Sequence, residues 1–193
     1  MSYLSAVQRV SQIESLLGQT PAAEPAATSQ PGPTAATTFS QALGQATAST
    51  GGSSAGMRAL SAAESQIGVT EQPPGSNDGP QIAQYRAAVA GSYAGAPWCA
   101  YFVSWAAAQA GAPIGDSGQG LGSVSEITDW AARTGRLTQT PQPGDLILFG
   151  TEHVGIVESV NADGTLTTVE GNASNGVNRE EHPRSDATGF VRL

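Results

Sequence analysis

The stretch His153–Asn172, HVGIVESVNADGTLTTVEGN, decides the fold. Two runs rich in β-branched residues flank Asn161-Ala162-Asp163-Gly164, a turn-forming cluster, so the segment reads as an antiparallel hairpin. With a four-residue loop, Val160 stands opposite Thr165 and His153 opposite Asn172, while Glu170 lies diagonally from His153 on the same face. Ile156 then meets Val169 on the other, apolar face. A one-residue slip would send every side chain to the wrong face. In this register the polar face carries an imidazole beside a carboxylate and an amide. That is the composition of a general base held by an orienting partner, with either Glu170 or Asn172 taking the second ring nitrogen.

Working outward, Pro143-Gly144-Asp145 introduces a strand at Leu146–Phe149, and Phe190–Leu193 reads as another. Upstream, apolar residues recur at helical spacing. Helices are expected over Met57–Ile67, closed by Gly68; over Pro80–Ala90, with proline in the first turn; over Trp98–Ala110, stopped by Gly111 and Pro113; and over Ser123–Thr134. In the last of these, Ser123 and Glu126 have capping-box spacing. Helices followed by strands imply an α+β domain with an antiparallel sheet, spanning 57–193. Residues 1–56 differ, with only Arg9, Glu14 and Glu24 charged. There Tyr3, Val7, Val10, Ile13, Leu16 and Leu17 form one amphipathic helix. A Pro/Ala/Thr-rich and then Gly/Ser-rich linker follows, which is expected to be mostly disordered.

The chain has 193 residues and a net charge of −8, and all eight basic residues are arginine. No basic run is present to follow a phosphate backbone, so no nucleic-acid partner is expected. No apolar stretch approaches the ~20 residues of a membrane span, and none has the form of a signal-peptide core. The chain is therefore expected to be made in the cytoplasm, without membrane insertion, and to use any export route without a cleaved signal. One cysteine and two histidines exclude a disulfide framework and a multi-histidine metal centre. Asn77-Asp78 supplies too few oxygens for calcium. No metal and no cofactor is expected.

Cys99 falls in the first turn of its helix, where unpaired N–H groups and the macrodipole stabilise a thiolate and can also face an oxyanion. Its base must be His153 or His182. His153 opens a strand, a rigid place from which to aim an imidazole. His182, in Glu180-Glu181-His182-Pro183, reads as part of a solvated loop.

Four blocks in order, Pro97-Trp98-Cys99-Ala100-Tyr101-Phe102-Val103-Ser104-Trp105, Pro143–Phe149, His153–Val160 and Glu170-Gly171-Asn172, resemble the CHAP family of cysteine- and histidine-dependent amidohydrolases and peptidases. The resemblance covers the chain from about Met57. It implies a papain-like α+β fold and peptidoglycan stem peptides as the substrate class. It also implies Cys99 as nucleophile, His153 as base, and Glu170 with Asn172 as the polar residues that follow. Many members carry Gln directly before the nucleophile, where this chain has Trp98. That leaves the Cys99 backbone N–H as the first oxyanion donor, with Gln81 or Gln84 as side-chain candidates. Trp98 and Tyr101 are candidates for substrate contact, Trp98 as a wall or as core. The first fifty residues resemble, more loosely, the leading segment of cell-wall hydrolases from actinobacterial flagellar loci. This implies a flagellar or secretion-apparatus protein as partner of the N-terminal helix, and action at the wall after export. The rival reading is a wall-binding or docking module without turnover.

Overall fold

A computed structural model describes residues 51–193. The N-terminal amphipathic helix and the Pro-rich linker lie outside the described residues.

Four helices precede the main strands: α1 (Ser54–Glu64), α2 (Pro80–Ala87), α3 (Cys99–Gln109) and α4 (Val124–Arg133). Six strands follow: β1 (Leu137–Thr138), β2 (Leu146–Phe149), β3 (His153–Val160), β4 (Thr165–Ala173), β5 (Gly176–Pro183) and β6 (Gly189–Val191). They form one antiparallel sheet in the order β1-β6-β2-β3-β4-β5, so the fold is α+β as expected. Ser123 and Glu126 make both halves of the capping box on α4. Helix α1 begins three residues earlier than periodicity predicts. Ser53 accepts from the Gly56 N–H, and Gly56 packs so closely on Gly144 that a Cβ would lie 2.7 Å from the Gly144 carbonyl oxygen.

The sheet has two differently used faces. Leu146, Leu148, Val154, Ile156, Val169 and Val177 join the helices, with Phe102 and Tyr85, in the main core. Ile147, Val157, Leu166 and Phe190 form a smaller apolar cluster on the other face. This second face is curled. Phe149 on β2 and His182 on β5 are three strand spacings apart, roughly 14 Å on a flat sheet, yet their ring centroids are 4.6 Å apart.

The hairpin pairs Ile156 with Val169 and Val157 with Thr168, as the alternation requires. Nearer the turn the register shifts, with Ser159 opposite Thr167 and Val160 opposite Leu166, not Thr165. A β-bulge at Glu158 absorbs the extra residue. Two elements escaped the sequence reading. The two-residue β1 is too short to show a period. The edge strand β5 carries a charged run where a half-buried strand would alternate apolar residues, and the stretch expected as a loop around His182 belongs to it.

Candidate active site

Cys99 is the first residue of α3, with Trp98 as its N-cap. No side chain caps this helix. The N–H groups of Cys99, Ala100 and Tyr101 have no hydrogen-bond acceptor among the described residues, which leaves the helix's positive end free beside the thiol. Cys99 is only 5% exposed, yet it lines a cleft of about 670 Å³. One wall of the cleft is the loop Gly91–Pro97, the other the segment Gln119–Val124, and Thr151 and Glu152 approach from the β2–β3 turn.

His153, at the start of β3, stands close enough to Cys99 for the thiol to favour a charge on its ring. Its Nε2 lies 2.8 Å from Oε2 of Glu170, which leaves Nδ1 for the thiol. Burial opposes a charge on this ring. The hydrogen bonds and charges of Cys99 and Glu170 outweigh it and raise His153 from 6.5 to about 9. Glu170 is buried, which favours its neutral form, but its hydrogen bonds to His153 and Thr168 and the charges of His153 and His182 hold its carboxyl below the usual range. Gly155 makes room for it, since a Cβ there would lie 2.7 Å from Cγ of Glu170.

The orienting contact on the imidazole is thus made by Glu170. Asn172 turns elsewhere, because its backbone adopts φ 62° after Gly171 and the side chain leaves the hairpin face. Its Oδ1 accepts from the Trp98 N–H at 3.0 Å. Its Nδ2 donates to Glu71 Oε1 at 3.2 Å and to Asn77 Oδ1 at 3.0 Å. Asn172 therefore anchors Trp98, the residue before Cys99, and does not hold the His153 ring.

Trp98 does not wall the cleft. It is 0% exposed, stacks near Tyr85, and donates its indole N–H to Glu71 Oε1 at 3.0 Å. Of the two aromatic candidates only Tyr101 lines the cleft. Gln81 and Gln84 bond to each other on α2 and take no part in the cleft lining. Glu71, absent from the sequence reading, is 1% exposed and also accepts from the Asn77 N–H at 3.0 Å. Together Glu71, Asn172 and Trp98 form a buried polar brace behind the N-terminus of α3. Asp78 pairs with Arg86, and no three potential metal-ligating side chains are grouped among the described residues. No described helix is long and apolar enough to cross a membrane.

The second histidine is also here. His182 Nε2 lies 2.8 Å from Oε1 of Glu170, so two imidazoles share one buried carboxylate.

Comparison with known proteins gives no match among curated proteins. Among solved structures the chain is similar to an N-acetylmuramoyl-L-alanine amidase from Staphylococcus aureus, at 20% identity and a TM-score of 0.37. The match covers 49% of this chain and 30% of that one, so the chain spans less than a third of that protein's length. The family whose pattern matches is described as CHAP domain, over residues 91–172. That span holds the helix of Cys99, the strand of His153, and Glu170 and Asn172, and over these residues the chain matches the CHAP domain.

Proposed function

We propose that this chain is a cysteine hydrolase that cleaves amide bonds in peptidoglycan. The observation that carries the reading is the line Cys99–His153–Glu170, set at an uncapped helix N-terminus and opening on a cleft. His153 takes the thiol proton, and the Cys99 sulfur attacks the amide carbonyl carbon to form a tetrahedral intermediate. Its oxyanion faces the Cys99 N–H. The imidazolium, steadied by Glu170, gives its proton to the leaving nitrogen as the C–N bond breaks and a thioester remains. His153 then deprotonates a water that attacks the thioester, releasing the carboxylic acid and restoring the thiol. An amidase, cutting lactyl from L-Ala, and an endopeptidase, cutting within the stem or cross-bridge, both fit this chemistry.

The setting we propose is wall remodelling after export without a cleaved signal peptide. The N-terminal helix would dock to a flagellar or secretion-apparatus protein, on the resemblance of the first fifty residues. Muropeptide mass spectrometry after digestion of purified wall tests the activity and identifies the bond. Wild type should release defined fragments, and Cys99→Ala should release none while melting at nearly the same temperature, because the lost side chain is small. Turnover by Cys99→Ala, or no fragments from wild type, overturns the reading.

A further inference from the structure

Glu170 is the hub of a network larger than a three-residue set. Its side chain is 3% exposed, and both oxygens are occupied. Oε2 meets His153. Oε1 takes the Thr168 hydroxyl at 2.6 Å and faces the His182 Nε2 at 2.8 Å. His182 is held from the side by Phe149, at 4.6 Å between ring centroids, and Phe149 in turn lies 5.8 Å from the His153 ring. Glu170 stands on β4, between β3 with His153 and β5 with His182, so its carboxylate is reached from the strand on either side.

We infer that His182 is a positioning residue for the hydrolase proposed above, acting through Glu170. A carboxylate on a flexible side chain has two equivalent oxygens and can rotate about its terminal torsion. A donor fixed on Oε1 leaves Oε2 in the plane and direction that His153 requires. Thr168 sits two residues away on the same strand and moves with Glu170. His182 sits on a different strand and ties the carboxylate to the sheet edge, so it supplies a constraint that Thr168 does not. Because Glu170 accepts on both oxygens, His182 presents Nε2 as N–H, and its donor is what matters. Its contacts are with Glu170 and Phe149 and none is with Cys99, so its route to the chemistry runs through the carboxylate.

The test uses the full chain and compares His182→Gln, whose amide N–H₂ can occupy the place of Nε2–H, with His182→Phe, which keeps the ring's packing against Phe149 and loses the donor. Two readouts apply: turnover on purified wall, and the rate of Cys99 alkylation by iodoacetamide at pH 6. Alkylation reports the thiolate–imidazolium pair without any need for a substrate. His182→Phe should lower kcat about tenfold with KM unchanged, and slow alkylation by a similar factor, in line with losing one hydrogen bond to a charged group. His182→Gln should recover most of both. Wild-type rates in His182→Phe overturn the inference, as does an equal loss in both variants or a change confined to KM. If wall is not the substrate, the alkylation comparison still decides the role of His182, so the two proposals fail separately.

Discussion

The His153 imidazole carries a measurable consequence at the residue scale. Its value in the folded protein, about 9, lies above the ordinary 6.5, so folding gains from its charge. That contribution is complete below pH 6.5 and disappears as pH rises through 9. Glu170 runs the other way. Its carboxyl is held below the ordinary 4.5, so its contribution is present above 4.5 and is lost as pH falls through the lowered folded value. Thermal melts should therefore be highest between pH 4.5 and 6.5 and decline toward pH 9, with up to about 3 kcal/mol at stake on the alkaline side. His153→Gln should flatten that alkaline decline; a decline unchanged in the variant would place its origin in another group. The pairing of His153 with Glu170 was legible in the sequence, because period-two alternation fixes which side chains share a face. The partners of Asn172 were not, since a positive φ after Gly171 redirects the side chain in a way no alternation encodes. Glu71 escaped for a related reason. A carboxylate in a Pro/Gly-rich loop reads as solvated, and only the tertiary fold brings the Trp98 indole and the Asn172 amide to it.

Between elements, space decides as much as chemistry. Strands β3 and β4 carry Gly155 beside Glu170 and Gly171 against Phe102, where a Cβ would lie 2.7 and 2.6 Å from the nearest heavy atom. Neither glycine has a positive φ, so the absence of a side chain is what the site needs at both. Gly155→Ala should push Glu170 from beneath the imidazole and lower kcat about 100-fold, with a stability loss of about 1–3 kcal/mol from overpacking. Steady-state kinetics alongside a denaturant melt separate the two effects, and wild-type kcat in this variant would show that Glu170 has room to shift. The helices were readable because α4 announces its own start with a capping box and α3 its own end with glycine and proline. The edge strand β5 was not, because its residues Arg179, Glu180, Glu181 and His182 offer no apolar period. Its place is set by pairing with β4.

At the scale of the whole molecule, the folded unit reaches back into the glycine-rich segment. Ser53 caps α1 and Gly56 packs on Gly144, so a protein beginning at Gly51 should melt with the full chain and retain its turnover on wall fragments. One beginning at Met57 loses the cap and the first turn, worth about 1 kcal/mol, and should melt about 4 °C lower. Calorimetry on the three proteins measures it, and equal melts for the two shorter ones would show that the first turn contributes nothing. The bulge at Glu158 has a bearing on how this architecture tolerates change. It divides the hairpin into an end carrying His153 and Glu170, with Ile156 paired to Val169, and a tip, where the pairing is offset by one residue. Asn161 pins the tip to Ser159, Thr165 and Thr167, so changes of loop length are expected to be borne best at Ala162–Gly164, where the Ile156–Val169 pairing stands between them and the His153–Glu170 contact.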